Sequence, residues 1–110
     1  MYVARWHLTA RFGHKDDCLK LLQRWEIDVA NRIGWRPGSI RIVAGGIGAG
    51  DTDIELEVRI DGLDDLESAW RDMAAVPYQA EYQKQLSELI VAGSSRWTVH
   101  QIVDFSTKAS

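Results

Sequence analysis

"MYVARWHLTARFG" (residues 1–13) carries two sets of side chains that disagree. Ala4, Trp6, Leu8, Ala10 and Phe12 are apolar and occupy every second position, while Val3, Arg5, His7, Thr9 and Arg11 fall between them. A period of two is that of a β-strand with one face buried. The spacing predicts a strand over residues 2–12, closed by Gly13. "DIELEVRI" (53–60) repeats the pattern, with Ile54, Leu56, Val58 and Ile60 on one face and Asp53, Glu55, Glu57 and Arg59 on the other. "SIRIVA" (39–44) and "SRWTVHQIVDF" (95–105) read as the two remaining strands.

Between the strands the period changes. Cys18, Leu21, Leu22, Trp25, Val29 and Ile33 recur at helical spacing over residues 15–33. Asp16 and Asp17 suit the positive end of the helix dipole, and Gly34 followed by Pro37 is a stop signal. Asp61 is placed to cap a second helix whose stripe is Leu63, Leu66, Trp70 and Met73. Pro77 ends that helix and restarts it, and Tyr78, Tyr82, Leu86, Leu89 and Ile90 carry the pattern to Ala92 and Gly93. Residues 45–52 form a loop, and residues 106–110 are expected to be a frayed tail on a single domain spanning 1–110.

The order is β-α-β-β-α-β, a ferredoxin-like α+β arrangement. Its four-stranded antiparallel sheet has the first and third strands at the centre, the fourth beside the first and the second beside the third. Both helices cover one face, and the other is bare. The apolar set must meet the helices. Ala4, Trp6, Leu8, Ile54, Leu56, Val58, Trp97, Val99 and Val103 are therefore expected beneath them, with Trp25 and Trp70 as structural members of the helix stripes.

A chain of 110 residues with 45% apolar and 26% charged residues has an ordinary soluble composition, enough for one core. A net charge of −3 argues against nucleic acid or an anionic membrane as partner. RNA binding on the bare face would need stacking aromatics there, and Trp6 and Trp97 fall on the other side. Cys18 is the single cysteine, expected as a buried, inert thiol, so no disulfide framework or cysteine cage is available. No apolar run is long enough for a membrane span and no leader pattern opens the chain, which makes a cytoplasmic protein the default expectation. The loop "AGGIGAG" (44–50) lacks phosphate-loop spacing and leads into a strand, so it reads as a hairpin connection.

The order of elements, together with "LESAWRDMAAVPYQAEYQKQL" (66–86), resembles the dimeric α/β-barrel proteins, most of all their NIPSNAP-like and antibiotic-biosynthesis-monooxygenase-like branches. In that stretch a helix with a central Trp breaks at Pro77-Tyr78 and resumes amphipathically. The resemblance spans nearly the whole chain. It implies a homodimer in which two bare faces enclose a barrel and line any pocket. Many monooxygenase-like members carry a histidine just after the proline, where Tyr78 stands here. Haem-degrading relatives need an axial histidine on or near the second helix, and none lies between Leu63 and Leu86.

The bare face collects Arg5, His7, Thr9 and Arg11 from the first strand, Glu55, Glu57 and Arg59 from the third, Thr98 and His100 from the fourth, and Arg41 from the second. Histidine titrates near neutral pH and serves as a proton carrier beside carboxylates. The catalytic candidates are His7 as base or acid, His100 as its partner, Glu57 as its orienter and Arg5 as an anion stabiliser. Glu55, Arg41, Thr9, Thr98, Trp35 and Tyr78 are candidate ligand-binding residues. His7, His100 and Glu57 or Glu55 would also make a two-histidine, one-carboxylate set, but no spacing motif supports a metal. The expected function is a small-molecule-binding homodimer. It would act without a cofactor in an oxygenation, isomerisation or cyclisation of an apolar or aromatic compound. The alternative is a non-catalytic binding or regulatory homodimer whose polar face is only an interface.

Overall fold

The computed structural model describes residues 1–35, 39–48 and 50–103. Its strands are β1 (Tyr2–Thr9), β2 (Ile40–Ala44), β3 (Asp53–Ile60) and β4 (Arg96–Gln101), in the order β2-β3-β1-β4 with every pairing antiparallel. The helices are α1 (Lys15–Asp28), α2 (Leu63–Ala74) and α3 (Gln79–Leu89). This is the ferredoxin-like topology that the alternating patterns predict. The second helix divides at Pro77, as its sequence requires.

The apolar set of each central strand is buried. Ala4, Trp6 and Leu8 on β1 and Ile54, Leu56 and Val58 on β3 pack into one core with Cys18, Leu22 and Trp25 of α1. Burial pushes the Cys18 thiol up to about 11, so it stays protonated at neutral pH. Tyr82 of α3 donates its hydroxyl to Asp28 Oδ2 at 2.5 Å, which ties α3 to the end of α1.

Six local expectations need correction. The first helix does not continue to residue 33. It stops at Asp28 and is followed by a 3-10 turn at Ala30–Ile33, which Gly34 closes at φ 93°. That reversal returns Trp35 to the core, edge-on to Trp25 at 6.3 Å and only 8% exposed. Trp35 thus lies on the helix side of the sheet, where it borders a hollow with Ile33, Asp65 and Ala69, and not on the bare face.

Asp61 is not the cap of α2. Gly62 occupies that position, and its N–H donates to Asp65 Oδ2 at 3.2 Å. The buried stripe of α2 is Leu66, Ala69 and Met73, while Leu63 and Trp70 are 55% and 43% exposed. Ala69 takes the buried position between Leu66 and Met73, and Trp70 lies at the edge of the stripe, edge-on to Trp97 of β4.

β1 ends at Thr9, opposite Asp53, where β3 begins; Ala10 bridges to Ile90 instead, and Phe12 is 97% exposed. β4 is an edge strand only partly roofed by helices, which leaves Val99 and Val103 exposed. Pro37, Phe105 and the expected tail 106–110 lie outside the described residues.

Candidate functional site

The helix-free face of the sheet is polar throughout its centre. Register arranges its side chains in rows across the strands. One row runs Arg41–Glu57–Arg5–Thr98 and the next runs Val43–Glu55–His7–Arg96. Same-face neighbours along a strand are about 7 Å apart, so the two rows share one patch.

In the first row Glu57 is held from both sides. Arg5 Nε donates to Oε1 at 2.9 Å and Arg41 Nη2 to Oε2 at 2.6 Å. The Glu57 side chain is only 15% exposed. That burial pushes its carboxyl up, but the hydrogen bonds and charges of Arg5 and Arg41 outweigh it and hold the carboxyl below its ordinary value.

In the second row His7 lies between two partners. Its Nδ1 stands 3.1 Å from Glu55 Oε1 and its Nε2 2.7 Å from Thr98 Oγ1, with the His7 side chain 18% exposed. A carboxylate only accepts, so this contact favours the tautomer with the proton on Nδ1. In the neutral ring Nε2 then accepts from the Thr98 hydroxyl. Thr98 lies opposite Arg5, and reaches His7 along the diagonal of the antiparallel pair. Beside this chain lies a hollow of about 140 Å³ lined by His7, Thr9, Asp53, Glu55, Ser94 and Arg96. Thr9 donates to Asp53 Oδ1 at 3.2 Å, while Asp53 Oδ2 accepts from the Gly50 N–H at 3.1 Å. The glycine-rich segment is a hairpin folded back on itself, where a Cβ on Gly45 would meet the Gly50 carbonyl oxygen.

The structure brings together some of the expected site residues and separates others. His7 meets Glu55 and Thr98. Arg5, Glu57 and Arg41 form the neighbouring clamp, and Thr9 lies at the Asp53 end. His100 does not meet His7. It lies opposite Val3, while Arg96 is opposite His7. Alternation fixes a residue's face but leaves the sliding register of β4 open, and the register separates the two imidazoles by two same-face positions. Glu57 is not the orienter of His7, because its two oxygens are taken by arginines; Glu55 has that place.

The set His7, His100 and Glu57 or Glu55 is accordingly not assembled, and no group of three potential ligands converges among the described residues. Tyr78 begins α3 in the helix layer, 49% exposed with the Arg32 guanidinium 5.2 Å from its ring, so it and Trp35 stand apart from the polar face. His14 is an exposed residue of the β1–α1 turn, 3.6 Å from Asp17. Arg96 and Asp53 were not picked out as site residues, although strand parity alone places both on the face.

On the other side of the sheet the tryptophans form a chain of contacts. Trp6 meets Trp25 at 5.8 Å and stacks on Trp97 at 5.9 Å, and Trp97 meets Trp70 edge-on at 5.6 Å. The indole N–H of Trp6 donates to Ser95 Oγ and that of Trp25 to Gln79 Oε1, so both buried polar tips are satisfied.

No family model matches the chain, and no curated protein matches its sequence. Solved structures do. A protein of Agrobacterium tumefaciens superimposes with a TM-score of 0.77 at 17% identity, over 96% of this chain and 97% of its own. A NIPSNAP family protein of the same organism gives 0.77 at 22% identity, over 96% and 95%. A candidate antibiotic biosynthesis monooxygenase of Deinococcus radiodurans gives 0.62 at 17% identity, over 94% of each chain. At these identities the likeness is one of architecture, and this chain has the ferredoxin-like α+β fold shared by NIPSNAP proteins and antibiotic-biosynthesis-monooxygenase-like proteins.

Proposed function

We propose that this chain forms a homodimer whose polar sheet faces enclose a barrel, and that His7 moves a proton on a small molecule bound there. The observation that carries this reading is the placing of His7 between the Glu55 carboxylate, 3.1 Å from its Nδ1, and the Thr98 hydroxyl, hydrogen-bonded to its Nε2, at the middle of the helix-free face. A base oriented by a carboxylate through one nitrogen and free to exchange a proton at the other is the arrangement general acid–base chemistry needs. The neutral ring accepts a substrate proton at Nε2 when the Thr98 hydroxyl turns aside. Glu55 then stabilises the imidazolium, and the same proton is returned at a second substrate atom. Isomerisation and cyclisation fit this cycle, as does the deprotonation that opens a cofactor-free oxygenation. No cofactor is invoked. The NIPSNAP and monooxygenase-like neighbours support the architecture and are compatible with such chemistry.

A second reading rests on the Arg5–Glu57–Arg41 clamp. Ion pairs that occupy the face belong equally to a binding or regulatory homodimer without turnover.

A generic proton-abstraction probe separates the two. In 5-nitrobenzisoxazole a base removes the ring C–H proton, the N–O bond breaks, and a coloured cyanophenolate forms. The proton-transfer reading expects the wild-type protein to accelerate this reaction above free imidazole at equal concentration, with His7→Gln at the buffer rate. Equal rates for wild type and His7→Gln would overturn it. Sedimentation velocity at micromolar concentration tests the dimer, and a monomer mass would remove the enclosed barrel.

A further inference from the structure

We infer that the molecule held on this face carries a carboxylate, seated between Arg41 and Arg59 at the β2–β3 end of the patch. The inference rests on the proposed small-molecule site and adds its substrate class. In the hollow lined by Ser39, Arg41, Glu57 and Arg59, two guanidiniums face the one carboxylate of Glu57, which Arg5 also holds from the other side; Arg59 in addition borders a second hollow with Asp61, Asp65 and Asp72. Glu57 neutralises one of them and leaves an excess of positive charge. Arg59 is exposed and makes no ion pair among the described residues, and the Arg41 side chain is 70% exposed even while it touches Glu57.

The register makes Arg41 and Arg59 diagonal neighbours, since Arg41 pairs with Glu57 and Arg59 is the next same-face residue of β3. Together with Ser39 and Glu57 they line a hollow of about 350 Å³. A guanidinium has five donors in a planar fork. Arg41 commits one nitrogen to Glu57, so the rest of its fork is open to a bidentate carboxylate. Glu57, itself fixed by Arg5, holds Arg41 in place and limits the rotamer freedom that binding would otherwise cost.

A phosphate fits less well. Arg41, Glu57 and Arg59 in the walls of the hollow are strand residues, and among the described residues no helix N-terminus faces it. A dianion would also lie close to Glu57. The reacting atom belongs further along and across the sheet, on the order of 10 Å from the acid group, at the row where His7 and Glu55 stand.

The test is a titration of the whole chain, followed by amide chemical shifts, with benzoate as probe, benzamide as its neutral twin and phenyl phosphate as the alternative anion. Benzoate is expected to bind and to shift residues of β2 and β3, with benzamide at least about tenfold weaker. Arg41→Gln and Arg59→Gln should each weaken benzoate about tenfold, with an unchanged sedimentation coefficient. His7→Gln should leave benzoate binding within about twofold, because it removes the proton carrier and not the anion seat. Equal affinity for benzoate and benzamide, tighter binding of phenyl phosphate, or arginine variants that change only the association state would each overturn the inference. That result would leave the role of His7 standing, and loss of the His7-dependent rate alone would leave the carboxylate seat standing.

Discussion

The two faces of this one sheet are built on opposite principles. On the helix side, Trp6, Trp25 and Trp35 are each at most 8% exposed, and no polar or charged residue is classed as buried among the described residues. On the other side, alternate residues of the same strands place Arg5, His7, Glu55 and Glu57 side by side, half-covered and paired. The first face derives its energy from apolar burial and packing, which tolerate no vacancy. The second gains little from surface ion pairs but holds charges at fixed positions. A strand of period two thus lets stability and chemistry occupy the same eight residues of β1 without competing for them.

That division is open to direct attack. Trp25→Ala should have the largest effect, about 3–5 kcal/mol of lost stability in chemical denaturation, as for other buried aromatics. A loss under about 1 kcal/mol would mean that the helix face is not the one that holds the fold.

Glu57→Gln should cost less, about 1–2 kcal/mol, because it leaves Arg5 and Arg41 facing each other. Its pH dependence carries a sign. The folded-state carboxyl lies below its ordinary value near 4.5, so its contribution is fully present above that value and is lost as pH falls through the folded-state titration. The wild type should therefore lose stability in acid more steeply than Glu57→Gln, and parallel pH–stability curves would break the clamp.

Trp70→Ala should cost roughly 1 kcal/mol or less, because a ring 43% exposed at the mouth of a cleft leaves no closed cavity behind. A loss equal to that of Trp25→Ala would move Trp70 back into the core. His7→Gln should have the smallest effect on stability, within about 0.5 kcal/mol, while abolishing the proton-transfer rate. Substantial unfolding by this substitution would turn the polar face into a structural one.

The fold was legible because β1 and β3 alternate over their whole length, which fixes two central strands and the face each buries. The site was only half legible. Parity put His7, Glu55, Glu57, Arg5, Arg41 and Thr98 on one face, but partners depend on register. The register of β4 is set by Gly93 and Ser94 at the end of the α3 connection, where Ser94 Oγ accepts from the Thr9 N–H. Nothing in the spacing of His7 and His100 encodes that contact. Side-chain size misled the reading of α2, where Ala69 and not Trp70 is the buried member of the stripe. The place of Trp35 in the core is not legible from spacing, because the 3-10 turn and Gly34 that redirect it carry no periodicity.

The chain of indoles has an optical consequence. Trp35, Trp25, Trp6, Trp97 and Trp70 are linked by successive ring separations of 6.3, 5.8, 5.9 and 5.6 Å. At such spacings excited states couple and migrate among the rings faster than they emit. Light absorbed by the buried members drains toward the ring in the most polar surroundings, which is Trp70, the most exposed of the five. The intrinsic fluorescence is therefore expected to be weighted toward the surroundings of Trp70, and the close Trp6–Trp97 pair to add an aromatic contribution to the far-ultraviolet dichroism. A measurement of helix content from that region of the spectrum will be biased by tryptophan unless the coupling is subtracted.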